Sequence, residues 1–352
     1  MSDDGKFWLR DIWYYALPGH RLKPGGMVTK QLLGEPVLFC RSRDGAVFAL
    51  RDICPHRGIP LSHGRFDGAE VECCYHGWRF GGDGTCTAIP SLVEGQGLDL
   101  SKIKVRRYPC RESQGNIWIY MDERKPGARA EAEPVLDIPE VPDFAGASYR
   151  LVETMRFPCY VDHAVIGLMD PAHGPWVHQS WLWRSRRSIH EKAKPFGPEA
   201  FGFAMRRHVP SKNSFAYKLL GGRPETEIRF RLPGVRIEHV RTGRHVLANL
   251  TAVTPISETE TEINHCMYWT MPWLSLAKPV VRQLARIFLG QDRRVVVQQQ
   301  DGLKYDPSLM LIRDADTQAR WYFQLKHEWA EAKAEQRPFV NPVKDCVLRW
   351  RS

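Results

Sequence analysis

The fold of this chain is decided by two short segments, Cys54-Pro55-His56 and Cys73-Cys74-Tyr75-His76. Sixteen residues separate them, and their spacings are C-x-H and C-x2-H. Each segment offers one thiolate and one imidazole, so two neighbouring loops together offer two of each. Cysteines and histidines at short, fixed spacing are typical of metal and iron–sulfur sites.

Two kinds of metal group accept two cysteines and two histidines. Zinc fingers place both cysteines before both histidines, whereas here the order alternates. A [2Fe–2S] cluster of the Rieske kind needs this set, because cysteine holds one iron while histidine replaces cysteine on the other. Gly58 and Gly77 would let backbone amides approach the cluster sulfurs. Order and spacing favour the cluster over zinc, with Cys54, His56, Cys73 and His76 as its ligands.

The segments CPHRG and CCYHGW resemble the Rieske proteins. High-potential members brace their two loops with a disulfide and carry a serine after the second His-Gly. Here Ile59 and Tyr75 stand at the bracing positions and Trp78 stands at the serine position. Fewer hydrogen bonds to the cluster lower its potential. The resemblance therefore implies the variant of oxygenases and their ferredoxins, and Cys74, which does not fit the C-x2-H spacing, is interpreted as a packed thiol.

Composition bounds the remaining classes. The chain has 352 residues, 43% apolar content and a formal charge of +10, which is enough for two domains with proper cores. The basic residues form short doublets rather than a long tract, so nucleic-acid binding is not favoured. An acidic redox partner or an anionic substrate suits this charge better.

Membrane insertion and secretion are not expected. The best candidate span, 273–290, is interrupted by Lys278, Arg282 and Arg286, and a bilayer requires about 18 or more uninterrupted apolar residues. The N-terminal segment is acidic and lacks an apolar signal region. The nine cysteines are an odd number without a secretory pattern and are interpreted as cytoplasmic thiols outside the cluster.

The pattern along the chain predicts an α+β fold. Residues 6–20 are predicted as a short amphipathic helix or docking arm. Strand-like runs around the cluster segments predict an antiparallel β domain, 1–121, and a Pro-rich linker is predicted at 122–147. A second domain, 148–352, is predicted as a large antiparallel sheet flanked by helices near 276–300 and 314–336. Its predicted strands are 149–157, 200–208, 214–220, 225–232, 235–241, 245–254 and 259–270.

The second domain contains the segment DPAHGPWVH, spaced D-x2-H-x4-H from Asp170 through His173 to His178. A regular helix would point the two imidazoles about 140° apart. Pro175 disfavours helical geometry at Gly174, so we expect a break that lets both rings converge. Two imidazoles and one carboxylate with open positions form the facial triad of a non-haem Fe(II) oxygenase.

Both motifs together, in this order, resemble the α subunits of Rieske non-haem iron oxygenases over essentially the whole length, with a helix-grip-like catalytic domain. The chain length and the order of the motifs are most similar to those of the single-component homo-oligomers that act on phthalates, vanillate and dicamba. The segment DPAH is also similar to the pheophorbide-oxygenase branch. The resemblance implies that His173 and His178 ligate iron and that Asp170 links a cluster histidine to it. The family's third ligand begins a motif E-D-x-x-V-V-x-x-Q, which matches Asp292, although Gln291 replaces the usual acid. Asp301, Asp306 and Asp314 are alternatives.

The resemblance also implies an activity and partners. An NAD(P)H-dependent reductase, directly or through a ferredoxin, would reduce the cluster. A head-to-tail homotrimer would bring His76 of one subunit near Asp170 of the next. With O2, the mononuclear iron would hydroxylate or oxidatively demethylate an aromatic or alicyclic small molecule. The alternative is a Rieske electron-transfer protein whose second domain is a non-catalytic scaffold.

Overall fold

The computed structural model describes residues 6–123, 134, 136–178, 189–210 and 223–352. These divide into two compact units, one within 10–138 and one formed by 139–352 with the N-terminal residues up to Leu9. The domain boundaries predicted from the sequence stay a prediction, and most of the predicted linker lies outside the described residues. In the described ranges, no helix has both the length and the apolar character needed to cross a lipid bilayer.

The unit within 10–138 consists of three small antiparallel sheets. Its strands are β1 Ile12–Pro18, β2 Met27–Leu32, β3 Glu35–Arg41, β4 Val47–Arg51, β5 Arg65–Phe66, β6 Val71–Glu72, β7 Arg79–Phe80, β8 Cys86–Ala88, β9 Arg107–Tyr108, β10 Cys110–Ser113 and β11 Asn116–Met121. The strand orders are β1-β11-β10, β2-β3-β4-β9 and β5-β6-β7-β8. Short 3-10 turns occupy Gly19–Arg21, Leu61–His63 and Leu100–Lys102. The predicted antiparallel β domain is therefore confirmed.

The N-terminal segment corrects one expectation. Residues 12–18, predicted as part of a helix or arm, form β1, which pairs antiparallel with β11. All seven of its residues are buried. The run Trp13 to Leu17 is apolar throughout, and a short apolar run fits a strand buried on both faces as well as it fits a helix. The segment forms a strand rather than a helix because it pairs with the equally buried β11.

The cluster segments leave strands that share one core. The first loop follows β4, and the second connects β6 to β7. Leu50, Val71 and Phe80, from those three strands, are fully buried in the same hydrophobic cluster, which also contains Cys54 and Cys73. A packed β scaffold therefore holds the base of both loops.

The second unit contains one eight-stranded antiparallel sheet. Its strands are β12 Leu151–Phe157, β13 Glu191–Glu199, β14 Gly202–His208, β15 Pro224–Arg231, β16 Val235–Thr242, β17 His245–Pro255, β18 Thr261–Trp269 and β19 Cys346–Arg351. They are ordered β12-β18-β17-β16-β15-β14-β13-β19. Six of the seven strands predicted for this domain are found, while 214–220 lies outside the described residues. Strands β13 and β19 were missed because their exposed charges and, in β13, two prolines weaken the pattern.

The helices of this unit are α1 Val161–Met169, α2 Gly174–Val177, α3 Pro272–Leu276, α4 Lys278–Leu303 and α5 Thr317–Ala334. Both predicted C-terminal helices, α4 and α5, are confirmed. Helix α4 is fixed to β12 by a 2.7 Å bond from Arg286 Nε to Glu153 Oε1 and a 2.9 Å bond from Arg293 Nε to the carbonyl oxygen of Arg156. The sheet with helices against it confirms the predicted α+β class.

Candidate metal centres

The two cluster loops have the same backbone geometry. In the first, Cys54 N–H donates to the Ile59 carbonyl at 2.8 Å and Gly58 N–H donates to the Cys54 carbonyl at 2.9 Å. The second loop, residues 73–78, repeats both bonds at 2.8 and 3.0 Å. The glycine of each loop has a positive φ, 75° at Gly58 and 70° at Gly77, a conformation that favours glycine. Two equivalent turns thus present one cysteine and one histidine each.

The cysteine side of this site fits iron. Cys54 and Cys73 are 1% and 2% exposed. Burial raises the pKa of the Cys54 thiol to about 11, and the adjacent Cys73 thiol adds to the rise. Two buried thiolates side by side repel each other unless a cation lies between them, and a coordinating thiol is deprotonated by its metal. The pair therefore suits a positively charged iron.

The histidine side fits as well. The rings of His56 and His76 have centroids 4.6 Å apart. The Nδ1 atom of His76 is buried and has no hydrogen-bond partner in the described part of the chain, and a buried polar atom of this kind normally has one. Trp78, at the position where high-potential Rieske proteins carry serine, stacks on His56 at 4.5 Å with an interplanar angle of 5°. A metal on the histidine nitrogens would satisfy the orphaned Nδ1.

A second centre lies after α1. The Nε2 atoms of His173 and His178 are 3.0 Å apart. Asp292 Oδ1, from α4, lies 3.1 Å from His178 Nε2 and 3.7 Å from His173 Nε2. One ligand atom from each of the three residues falls within 4.8 Å of the others. Two imidazole nitrogens and one carboxylate oxygen that converge in this way fit an Fe(II) site with open positions.

The two rings converge for a reason different from the expected one. Gly174 and Pro175 are helical, in the single turn α2, where proline in the first turn loses no hydrogen bond. The chain instead leaves helical geometry at Asp170, which caps α1, and again at His178, where φ is −97° and ψ is 45°. His173 and His178 therefore flank one short turn. The predicted break at Gly174 is wrong, although the predicted convergence is observed.

Asp170 fixes the orientation of His173. The His173 Nδ1–H donates to the Asp170 carbonyl oxygen at 2.7 Å, and the Asp170 Oδ2 atom lies 3.6 Å from the same nitrogen. With its hydrogen on Nδ1, the ring presents Nε2 to a metal. Burial lowers the pKa of His173, which favours the neutral, ligating form. The Asp170 carboxylate is 31% exposed.

Helix α4 supplies more than Asp292. Gln291 Oε1 lies 2.9 Å from His178 Nδ1, and the Phe288 ring stacks on the His178 ring at 3.9 Å and 13°. Among the described residues, His173, His178 and Asp292 are the one group of three or more His, Cys, Asp or Glu side chains whose ligand atoms lie this close together. The alternative third ligands do not belong to the group: Asp301, Asp306 and Asp314.

His265, which belongs to neither sequence motif, lies near this centre. It pairs with Glu153 on β12 and Thr251 on β17. Opposed residues of antiparallel strands share a face, and the Glu153 contact with α4 shows that this face points towards that helix. Burial, and next the Arg236 guanidinium, lower the pKa of His265 to about 4, while the Asp292 carboxylate acts in the opposite direction. Strand alternation could have predicted its face, but not its proximity to Asp292.

Known proteins match both halves of the chain. The family described as Rieske [2Fe-2S] domain matches residues 12–109, and the family described as vanillate O-demethylase oxygenase C-terminal domain matches residues 165–332. The two matches follow each other in the chain and together span most of it. The first contains all four proposed cluster ligands, and the second contains the proposed iron ligands.

Individual relatives match over shorter stretches. Chlorophyllide a oxygenase, chloroplastic, of Chlamydomonas reinhardtii is 34% identical over 178 residues, which are 50% of this chain and 25% of that protein. The dicamba O-demethylase oxygenase component of Stenotrophomonas maltophilia is 35% identical over 178 residues, 49% of this chain and 48% of that protein. The matched part therefore spans between a quarter and about half of these relatives.

One solved structure shows the same fold over nearly the whole chain. The crystal structure of dicamba monooxygenase bound to dicamba superposes with a TM-score of 0.72 at 21% identity, covering 93% of this chain and 98% of that one. The superposition shows that the two chains share this fold. The present chain contains a Rieske [2Fe-2S] domain followed by a C-terminal domain of the vanillate O-demethylase oxygenase kind.

Proposed function

We propose that this protein is the terminal oxygenase component of a system that uses O2 and electrons from an NAD(P)H-dependent reductase. The observation that carries the proposal is the convergence of His173, His178 and Asp292 in a chain that also has a Rieske domain. A protein that only carries electrons needs no second metal centre. The relatives named as oxygenases support the same conclusion.

In this proposal each centre has a defined set of ligands. The [2Fe–2S] cluster takes Cys54 and Cys73 on one iron and His56 and His76 on the other; the buried thiol pair and the orphaned His76 nitrogen support this assignment. The mononuclear Fe(II) takes the two His Nε2 atoms and the Asp292 carboxylate. When bound, this iron supplies the open positions at which O2 is activated. The protein contributes the orientation of the ligands and the surface against which the substrate lies.

We further propose that electrons pass between subunits of a head-to-tail homotrimer. His76 lies beside Tyr75, which is 53% exposed, at the tip of its loop. The Asp170 carboxylate is also accessible, and it lies against His173 of the iron site. The Asp170 carboxylate of one subunit would accept a hydrogen bond from His76 of the next, while the Asp170 main-chain oxygen holds its own His173. A carboxylate placed between two ligand imidazoles in this way orients the ring that donates to it and shortens the electron path.

The substrate is proposed to be an aromatic or alicyclic small molecule that is hydroxylated or oxidatively demethylated. It would lie against the sheet face that carries His265. On this face Asn249 and Met267 form the next opposed pair after Thr251 and His265. Asn249 and Met267 are only partly buried, and the Asn249 Oδ1 atom is buried with no hydrogen-bond partner among the residues that the structure describes. Apolar walls with a few convergent polar groups are typical of small-molecule sites.

We place the protein in the cytoplasm, where the reductase finds its NAD(P)H. All nine cysteines belong to the described part of the chain, and none of them forms a disulfide there. This state suits a reducing compartment, because disulfides persist mainly in oxidising ones.

Metal and sulfide analysis of anaerobically purified protein tests the proposal. We expect about three irons and about two acid-labile sulfides per chain. Two irons with two sulfides would support the electron-carrier alternative, and a colourless protein without sulfide would contradict the cluster. With a surrogate reductase, aromatic acids, aryl ethers, terpenoids and sterols are then screened for substrate-dependent consumption of NADH and O2. A three-iron protein that oxidises none of these classes would contradict the proposed substrate class.

A further inference from the structure

The environment of His178 contains two side chains that neither the ligand set nor the electron path uses. Both come from α4, one turn apart: Phe288 stacks on the imidazole at 3.9 Å and Gln291 meets its Nδ1 atom at 2.9 Å. Asp292, the next residue, lies 3.1 Å from the Nε2 atom of the same ring. One stretch of helix therefore touches the face and both nitrogens of this histidine.

The hydrogen-bond direction follows from the geometry at Nε2. That nitrogen lies 3.0 Å from His173 Nε2 and 3.1 Å from Asp292 Oδ1, which is where a shared metal would bind. A nitrogen that ligates a metal carries no hydrogen, so the single hydrogen of the neutral ring must be on Nδ1. Gln291 Oε1 is the acceptor that the structure places within reach of it.

We propose that Gln291 is a positioning residue, which accepts the Nδ1–H of His178 and thereby holds its Nε2 lone pair towards the mononuclear iron, while Phe288 fixes the plane of the ring. This inference rests on the proposed function, because it requires a metal at the centre. It also gives a role to Gln291 at the position where the motif E-D-x-x-V-V-x-x-Q has glutamate. Both side chains offer an acceptor oxygen, but the amide adds no second negative charge beside Asp292.

The two histidines are held in different ways. His173 receives its orientation from a main-chain oxygen, that of Asp170, which no side-chain substitution removes. His178 receives it from a side chain. Partners of ligating histidines in the outer shell typically contribute about 10-fold to 100-fold in metal affinity. A single substitution at 291 should therefore weaken the site while all three ligands stay in place.

The test measures Co2+ binding to the full-length protein after removal of the mononuclear iron, with the [2Fe–2S] cluster retained. Isothermal titration gives the dissociation constant, and the EPR spectrum of bound Co2+ reports how uniform the coordination is. We expect Gln291→Leu to bind Co2+ about 10-fold to 100-fold more weakly than the wild type and to give broadened signals. Gln291→Glu, which restores an acceptor oxygen of the same reach, should bind at least about tenfold more tightly than Gln291→Leu.

Gln298→Leu is the matched control, because it is the same substitution at an exposed position of the same helix. Its dissociation constant should stay within about twofold of the wild type. The cluster absorbance of each variant reports whether the rest of the chain is folded. An affinity of Gln291→Leu within about threefold of the wild type, or no gain with Gln291→Glu, would overturn the positioning role. Failure of the wild type to bind Co2+ would instead refute the proposed iron site.

Discussion

The two metal centres differ in how they are assembled. The proposed cluster ligands come from two turns with equivalent backbone hydrogen bonds, 54–59 and 73–78, within one small unit. The proposed iron site takes two histidines from one turn and Asp292 from a helix more than one hundred residues later. The first centre therefore depends on short loops, and the second depends on how α4 packs on the sheet. Changes in tertiary contacts should affect the iron site and spare the cluster.

The largest expected effect is that of Asp292→Ala. It removes the one ligand that α4 supplies, so we expect the iron content to fall from about three to about two per chain, with about two sulfides retained and turnover lost. Iron and sulfide analysis with the cluster spectrum measures this. Asp301→Ala, an exposed acid of the same helix, is the control and should keep three irons. Unchanged iron content in Asp292→Ala would show that another acid is the ligand.

Asp170→Asn tests whether the two centres communicate. The amide removes the negative charge that lies 3.6 Å from His173 Nδ1 and would accept a hydrogen bond from His76 of the next subunit, but it leaves every proposed ligand in place. We expect turnover to fall about a thousandfold or more, which corresponds to about 4 kcal/mol, with both metal contents unchanged. Stopped-flow measurement of cluster reoxidation with substrate and O2 locates the loss in electron transfer. More than a tenth of wild-type turnover would contradict the bridging role.

Asp162→Asn tests whether the stability of the proposed iron site can be lowered separately from that of the cluster. Lys326 of α5 is 4% exposed and binds Asp162 of α1 at 2.8 and 2.9 Å, and burial lowers the pKa of this lysine. Loss of the carboxylate leaves a buried ammonium without its counterion, which costs about 3 kcal/mol or more. Urea unfolding monitored at the mononuclear centre, with bound Co2+ as reporter, should shift to lower urea.

The unit that holds the cluster should be affected less by Asp162→Asn, so its visible absorbance should be lost at nearly unchanged urea concentration. Asp301→Asn is the matched control, because its 3.9 Å pair with Lys304 is exposed and should contribute less than about 0.5 kcal/mol. An equal shift of both transitions in Asp162→Asn would mean that the two centres share one cooperative unit.

His265→Gln is expected to have the smallest effect and concerns pH. The folded protein keeps His265 neutral down to about pH 4, whereas its ordinary pKa is 6.5. Between these values the unfolded chain binds the proton and the folded protein does not, so the free energy of unfolding falls as pH falls. From pH 7 to 5 this contributes about 2 kcal/mol. Urea titrations should show that His265→Gln loses less stability over this pH range than the wild type. An equal loss in both proteins would contradict the lowered pKa of His265.

The sequence determined the local chemistry. C-x-H with C-x2-H indicated the cluster, and D-x2-H-x4-H indicated an iron site, because ligands a few residues apart stay close in almost any fold of the segment. Alternating patterns also predicted most strands of the large sheet and both C-terminal helices. The antiparallel α+β class followed from them.

Only the tertiary structure decided the contacts between distant segments. Residues 12–18, predicted as part of a helix or docking arm, form a buried strand because they pair with β11. The tertiary structure brought Asp292 and Gln291 to His178, and it placed His265 on the sheet face below them. No local pattern encodes these neighbours, because residues so far apart in the chain meet only when α4 and the sheet bury their apolar faces against each other.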